Sequence, residues 1–312
     1  MEEKHRQFNF SVVVPCYNEA FAVAKTAEDI FSAFKRWEEE ENVKLSFELI
    51  FVNDGSTDQT YKELEMLDQK YELLEVIDCK TNCGYGASLK KGILASRYDS
   101  IVITDADGTY PNERIPELVK GLEKANMVIG ARIGKNVHIP TLRRPVKWLL
   151  LKYARWMSKS DIKDLNSGLR AIQKDKVIRF WNMLPNTFSF TSTITLSMHI
   201  EGLNVIYLPI DYHARIGNSS IKPIQDTLRF FSLVLRTVMY FRPLQVFGTI
   251  GLLMIFSAIS FGIAGRILLG EVPDVISLSL FSTGSIFIGL GLLGDLINAR
   301  RPLHNATSKN NT

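Results

Sequence analysis

Along residues 1–240 the apolar positions fall into short β-branched runs separated by charged stretches with helical spacing. Phe10-Ser-Val-Val-Val-Pro15, Phe47-Glu-Leu-Ile-Phe-Val52, Leu73–Asp78 and Ile101-Val-Ile-Thr104 are each too short for a helix, and they predict strands. Helical segments alternate with them, the first running from about Glu19 to Glu41. Strand and helix in alternation predict a parallel sheet with right-handed crossovers. The strand ends of such a sheet lie along one edge, which is where open α/β sheets bind ligands. Leu203–Pro209 and Ile210–Ala214 read as the closing strands of this globular part.

The pattern changes towards the C-terminus. Pro223–Tyr240 reads as an amphipathic helix, with Gln225, Arg229, Ser232 and Arg236 on one side and Ile224, Leu228, Phe231, Leu235 and Val238 on the other. Pro243 breaks it. Val246–Gly265 and Val275–Leu293 then each have about the length needed to cross a bilayer, with the polar turn Gly270-Glu-Val-Pro-Asp274 between them. Arg236, Arg242, Arg300 and Arg301 flank this pair on one side, which places that side in the cytoplasm, although Arg266 near the far end mildly opposes it. Glycines 284, 289, 291 and 294 predict close helix packing, either within the chain or in a homo-oligomer. Upstream, residues 141–157 interleave Arg144, Lys147, Lys152 and Arg155 with Trp148, Leu149, Leu151 and Trp156. Such a helix suits a lipid interface, its cations reaching up to phosphates, or else packs on a core with a solvated basic face. The N-terminal residues have no apolar stretch of a signal peptide, so both termini and the globular part are expected in the cytoplasm. The expected organisation is a globular domain over 1–222, an interfacial helix over 223–243, a two-helix membrane region over 244–299 and a tail over 300–312.

Three strand ends carry polar groups: Tyr17 and Glu19 after the first, Asp54 after the second, and Asp105 and Asp107 after the fourth. Two carboxylates one residue apart, followed by Gly108, suit a hard divalent cation shared with a nucleotide diphosphate. A plain polar turn is the alternative. Asn53-Asp-Gly-Ser-Thr-Asp58 offers Ser56, Thr57 or Asp58 as a cap for the helix that follows. Gly84 and Gly86 lack the third glycine of a dinucleotide fingerprint and do not follow the first strand, which argues against that site. A net charge of +4 over 312 residues, without zinc spacing or a helix-turn-helix pattern, gives no argument for nucleic acid. Cys16, Cys79 and Cys83 form no disulfide framework and read as reduced thiols.

Val14-Pro-Cys-Tyr-Asn-Glu19, Val52-Asn-Asp-Gly-Ser-Thr-Asp58, Asp105-Ala-Asp107, Ala131-Arg132, Asp164-Leu-Asn-Ser-Gly-Leu-Arg170 and Arg215-Ile-Gly-Asn-Ser-Ser-Ile-Lys222 follow one another in the order of known signatures. With the apolar tail, the chain resembles glycosyltransferase family 2, and within it the polyprenyl-phosphate and dolichyl-phosphate hexosyltransferases. The resemblance implies an α/β GT-A (Rossmann-like) catalytic domain with amphipathic interfacial helices and two C-terminal transmembrane helices. Two departures stand out. Asn53 replaces an aspartate common in relatives, and Gly108-Thr-Tyr110 replaces Leu-Gln-His or Leu-Gln-Asp, which leaves the sugar preference open.

By this resemblance Pro15, Tyr17, Glu19, Asp54 and Asp105 hold the nucleotide of a UDP- or GDP-sugar. Asp105 and Asp107 bind Mg2+ or Mn2+. Arg132, Arg144, Arg215, Ser219 and Lys222 surround the donor and acceptor phosphates, the cations offering the donors that phosphate oxygens accept. Asp107, Asp164 and Arg132 carry the catalysis. A polyprenyl phosphate is mostly deprotonated at neutral pH and attacks without a strong base, so Asp164 is expected as a positioning carboxylate or, if one is needed, the base. The resemblance implies inversion at the anomeric carbon. Two other readings stay open: transfer to a glycolipid hydroxyl, which needs a true base, and a weakly active membrane scaffold. Arg170 is expected either at the site or paired with an acid in the fold, and His138, His199 and His213 share no ligand spacing.

Overall fold

The computed structural model describes residues 6–133, 152, 154–156, 158, 160–213, 223–268, 270, 271 and 273–299, without the side chains of 223–231 and 299. The chain divides into two compact units, residues 1–231 and 232–312.

In the first unit the strands are β1 (Gln7–Cys16), β2 (Lys44–Asn53), β3 (Leu74–Asp78), β4 (Ser100–Ile103), β5 (Met127–Ala131), β6 (Arg170–Gln173) and β7 (Val205–Pro209). The helices are α1 (Val23–Glu41), α2 (Thr60–Lys70), α3 (Tyr85–Ala95), α4 (Ile115–Gly121), α5 (Lys174–Arg179) and α6 (Phe190–Ile200). One seven-stranded sheet has the order β3-β2-β1-β4-β6-β5-β7. The inner strands are covered on both faces, which is why β1, β2 and β5 read as unbroken apolar runs rather than alternating ones. On one face α1 lays down Val23, Ala27, Ile30, Phe34 and Trp37, a helical stripe from which Phe34 meets Phe10 and Phe47 edge-on and Trp37 tilts against Phe10.

β1 pairs in parallel with both β2 and β4, as alternating strands and helices predict. β6 does not follow that rule. It lies between β4 and β5 and runs antiparallel to both. Its first residue, Arg170, therefore sits opposite Ile103 and Ile129, near the carboxyl ends of those strands, and the preceding loop arrives at the ligand edge. A four-residue strand, Arg-Ala-Ile-Gln, carries no mark of direction, so the reversal was invisible in the pattern.

α1 begins at Val23 rather than Glu19, because residues 18–22 form a turn fixed by other contacts. Ile210–Ala214 is not a strand where it is described: Tyr212 makes one isolated bridge, and His213 donates its backbone N–H to Thr109 O at 3.0 Å. Of the basic-aromatic segment, Lys152, Ala154, Arg155 and Trp156 are helical, with Ala154 buried and Trp156 exposed; Arg144 and Lys147 lie outside the described residues.

Beyond it come α7 (Pro223–Phe241), α8 (Pro243–Leu268) and α9 (Asp274–Ala299). Pro243–Leu268 and Asp274–Asn298 are long and apolar enough to cross a membrane, with mean hydropathies of 2.1 and 1.9. Glycine decides how they pack. A Cβ on Gly251 would stand 2.6 Å from Gly284 O, and one on Gly284 2.7 Å from Gly251 O, so the two backbones touch there. Gly291 and Gly294 likewise lie against Leu244 and Pro243, whereas Gly289 meets nothing within 4 Å. Three of the four glycines thus pack within the chain. At one end of the pair Asn298 Nδ2 donates to Tyr240 O at 2.6 Å; at the other, Arg266 Nη1 donates to Gly270 O at 2.7 Å, which occupies its charge.

Candidate active site

β1, β2 and β3 end in register at Cys16, Asn53 and Asp78. The loops beyond them are sewn together by side-chain oxygens. Asn18, at φ 57, accepts the Thr57 N–H on Oδ1 at 2.8 Å and donates its own N–H to Ser56 Oγ at 3.0 Å. Glu19 N donates to Thr60 Oγ1 at 2.8 Å. Asp58 Oδ1 accepts the Thr60 N–H at 2.9 Å from one residue before the N-cap, which is Gln59, so none of the three expected residues takes the N-cap position itself. Burial raises the Asp58 pKa, but bonds from the Thr60 hydroxyl and from the Thr60 and Ala20 N–H groups outweigh it and hold the carboxyl below its usual value. Above this stitched floor Tyr17 is 45% exposed, so its ring is no core residue. Pro15 is buried in β1.

Asp54 is buried, and both its oxygens serve the chain: Oδ1 accepts Cys83 N–H at 2.8 Å and Oδ2 accepts Gly84 N–H at 2.9 Å. It thereby anchors the start of α3. Past Tyr85, the Gly86 N–H goes to Asn186 O at 3.1 Å, and the Ala87 N–H is shared between Gly84 O at 2.9 Å and Asn186 O at 3.3 Å. The Gly-Tyr-Gly turn is thus capped by protein oxygens, in keeping with the argument against a dinucleotide site. Asn53 fills its position by bonding Asp78 Oδ1 at 2.7 Å through Nδ2 and accepting Ser56 N–H at 3.2 Å.

β4 delivers the Asp105-Ala-Asp107 turn. Ala106 is buried, and its carbonyl accepts the Thr26 hydroxyl of α1 at 2.9 Å, which fixes the turn from below. Asp105 Oδ1 accepts the Tyr85 hydroxyl at 2.9 Å. Asp107 Oδ1 accepts the Thr109 hydroxyl at 2.6 Å and N–H at 3.1 Å. Gly168 lies against the Asp105 carboxylate, where a Cβ would stand 2.6 Å from Oδ2, and its N–H donates to Tyr110 Oη at 2.7 Å. The departure at Gly108-Thr-Tyr110 therefore has a structural role: Thr109 holds one acid and Tyr110 holds the loop beside the other. Two half-buried hard oxygen donors on one rigid turn fit a divalent cation that draws its remaining ligands from a diphosphate. Among the described residues no cluster of three His, Cys, Asp or Glu side chains exists to hold a metal alone.

Arg132 follows β5 at the same edge. Its Nε and Nη2 donate to Asp164 Oδ2 and Oδ1, each at 2.8 Å, and its backbone N–H to Oδ2 at 3.1 Å. Asn166 N adds a fourth bond to Asp164, whose side chain is 1% exposed. Burial works against the Arg132 charge, yet Tyr110 and Asp164 outweigh it and raise its pKa further. These four bonds tie Asp164 to Arg132 and to its own loop, a geometry that suits the positioning carboxylate of the two expected roles.

Arg170 is wholly buried, and among the described residues it has no acid partner. Its Nη1 donates to Thr191 O at 3.1 Å and Thr195 Oγ1 at 3.0 Å, and its Nη2 to Ser167 O. The alternative of an Arg170 ion pair is thereby corrected. Burial lowers its pKa, while Tyr85, Tyr110 and Asp164 act against that electrostatically and the Thr191 and Ser167 carbonyls accept its N–H groups. The sequence reading missed Tyr85 and Gly168; the glycines bracketing Tyr85 were the only signal for it. Arg144, Arg215, Ser219 and Lys222 lie outside the described residues.

A Rossmann-like mixed sheet that sets an Asp-Ala-Asp turn and an aimed arginine on its carboxyl edge defines a glycosyltransferase of the GT-A type. Residues 11–180, more than half of the chain, match the family described as Glycosyl transferase family 2, and the chain belongs to that family. It is 25% identical over 241 residues to a dolichyl-phosphate beta-glucosyltransferase of Trichomonas vaginalis, covering 74% of this chain and 71% of the relative. An undecaprenyl-phosphate 4-deoxy-4-formamido-L-arabinose transferase of Pseudomonas fluorescens is 26% identical over 315 residues, with 92% of this chain and 84% of the relative covered. The crystal structure of glucosyl-3-phosphoglycerate synthase from Mycobacterium tuberculosis with Mn2+, UDP-glucose and phosphoglyceric acid shares the fold, at a TM-score of 0.53 and 17% identity over 74% of this chain and 80% of that one.

Proposed function

We propose that this enzyme transfers a sugar from a UDP- or GDP-sugar to a polyprenyl or dolichyl phosphate at the cytoplasmic face of a membrane, with inversion at the anomeric carbon. The observation that carries the reading is the shared edge of Asp105, Asp107 and Arg132, in a chain that continues into two helices of membrane-spanning length. The names of the relatives support a lipid phosphate as acceptor.

Asp105 and Asp107 would hold Mg2+ or Mn2+, which when bound offsets the negative charge growing on the leaving diphosphate. Arg132 adds a fixed guanidinium, aimed by Asp164 and dry enough for its charge to count. Tyr17 offers an exposed ring at the nucleotide end, with Pro15, Glu19 and Asp54 shaping the loop beneath it. The acceptor phosphate is its own nucleophile, since its second pKa lies near 6, so no protein base has to take a proton. The engagement of Asp164 favours this acceptor over a glycolipid hydroxyl. Arg144, Arg215, Ser219 and Lys222 are proposed around the phosphates, the two apolar helices as the anchor, with both termini cytoplasmic. A dimer through the outer face of the helix pair is compatible with Gly289 pointing away from α8.

The test is transfer from labelled UDP-glucose, GDP-mannose, UDP-GlcNAc and UDP-galactose into organic-extractable lipid, by the detergent-purified full chain with polyprenyl phosphate and Mg2+ or Mn2+. Label that disappears in Asp107→Ala is the expected result. No label from any donor with folded protein overturns the proposal.

A further inference from the structure

Asp105 is gripped from two sides. Gly168 closes one side, and on the other the Tyr85 hydroxyl donates to Oδ1 at 2.9 Å. Tyr85 itself has little freedom. Gly84, at φ +97, and Gly86 flank it, and a Cβ on either would stand 2.4 Å from Asn186 O or 2.2 Å from Pro185 O. The backbone of the turn is therefore pressed against residues 185–187. Lys90 ties the same loop to α3, donating to Leu184 O at 2.6 Å and Asn186 Oδ1 at 3.1 Å. From that loop Phe188 stacks on the Tyr85 ring, centroids 5.1 Å apart and planes 20° from parallel, while itself 77% exposed.

An aromatic residue left in water on a rigidly tied loop needs a reason, and covering Tyr85 supplies one. A phenol fixed at both ring and backbone holds one carboxylate oxygen and thereby sets the direction of the other.

Resting on the proposed reaction, we infer that Tyr85, braced by Phe188, is a positioning residue that orients Asp105 toward a divalent cation bound with the donor diphosphate. Groups that orient a metal ligand in this way commonly change metal affinity by about 10- to 100-fold when removed. On this inference Tyr85 acts through Asp105, so its contribution is confined to the metal-assisted part of binding.

The experiment is calorimetric titration of the full-length protein in detergent with UDP and with GDP, in EDTA and across a Mn2+ series, for wild type, Tyr85→Phe, Phe188→Ala and Asp107→Ala. Expected are an unchanged affinity in EDTA for Tyr85→Phe, and a Mn2+ requirement raised about 10-fold. Phe188→Ala should move the same way by less, and Asp107→Ala should lose the Mn2+ effect. In turnover, Tyr85→Phe should need more Mn2+ yet recover most of kcat when it is saturating. Equal Mn2+ dependence in wild type and Tyr85→Phe overturns the inference and leaves the proposed function standing. Equal weakening with and without Mn2+ overturns it too, by marking Tyr85 as merely structural. A wild type in which Mn2+ has no effect on either nucleotide overturns both.

Discussion

Asp164 holds Arg132 by its backbone and its side chain at once: Oδ2 accepts the backbone N–H at 3.1 Å and Nε at 2.8 Å, and Oδ1 accepts Nη2 at 2.8 Å. The ion pair is therefore also a brace on the end of β5. Asp164→Asn keeps the shape but loses the charge. We expect transfer to a lipid phosphate to fall about 10- to 1,000-fold, with the pH–rate profile unmoved, because a cation has been misaimed rather than a base removed. Loss of one alkaline-rising limb from the profile would mark Asp164 as the base.

Asp107→Ala should lower metal-supported transfer at least about 100-fold. Thr109→Val removes only the hydroxyl that fixes Asp107 Oδ1, and we expect a rise of about 10-fold in the metal concentration for half-maximal rate. Initial rates across a Mn2+ series separate the two.

Gly84 and Gly202 both have positive φ, +97 and +69, but only Gly84 faces a neighbour, Asn186 O at 2.4 Å from a built Cβ. Alanine at 202 carries the backbone penalty alone, about 1 kcal/mol. Alanine at 84 must also move the 185–187 loop, and we expect about 3 kcal/mol. Thermal melts of the two variants give the comparison.

Burial lowers the His199 pKa, and its Nε2 lies 2.7 Å from Tyr207 Oη. The folded His199 thus releases its proton more readily than the unfolded one. Its neutral-state stability is full above about pH 6.5, the unfolded value, and declines as pH falls from there toward the lowered folded value. The melting temperature of wild type should drop between pH 7 and pH 5 more steeply than that of His199→Asn. Parallel slopes would remove His199 as the cause.

Gly251→Leu or Gly284→Leu should separate α8 from α9 and cost about 1–3 kcal/mol in detergent, whereas Gly289→Leu should leave monomer stability unchanged. Melting curves of the three variants report it.

Asp54, Asp105 and Asp107 were legible because each closes an apolar run, and an acid at the end of a buried strand has one edge to go to. The partners of Asp54 and Asp164 were not. A carboxylate looks the same in sequence whether it faces a ligand or, like Asp54, spends its lone pairs on Cys83 and Gly84. Tyr85 escaped for the same reason: its bond to Asp105 spans a separation of 20 residues that no periodicity encodes. The two long apolar helices were the easiest reading, since composition alone sets them apart, whereas the Gly251–Gly284 contact and the open space at Gly289 carry no mark in the sequence.

The reversed β6 also sets an order of assembly. β1 to β4 can pair among themselves once Ile103 has been made, so the half of the edge around Asp54 can form early during synthesis. The slot between β4 and β5 is filled only when Arg170–Gln173 emerges, and with it come Gly168 against Asp105 and Asp164 onto Arg132. The part of the site that would carry the chemistry is thus completed last in the sheet's interior, and before the apolar helices are made.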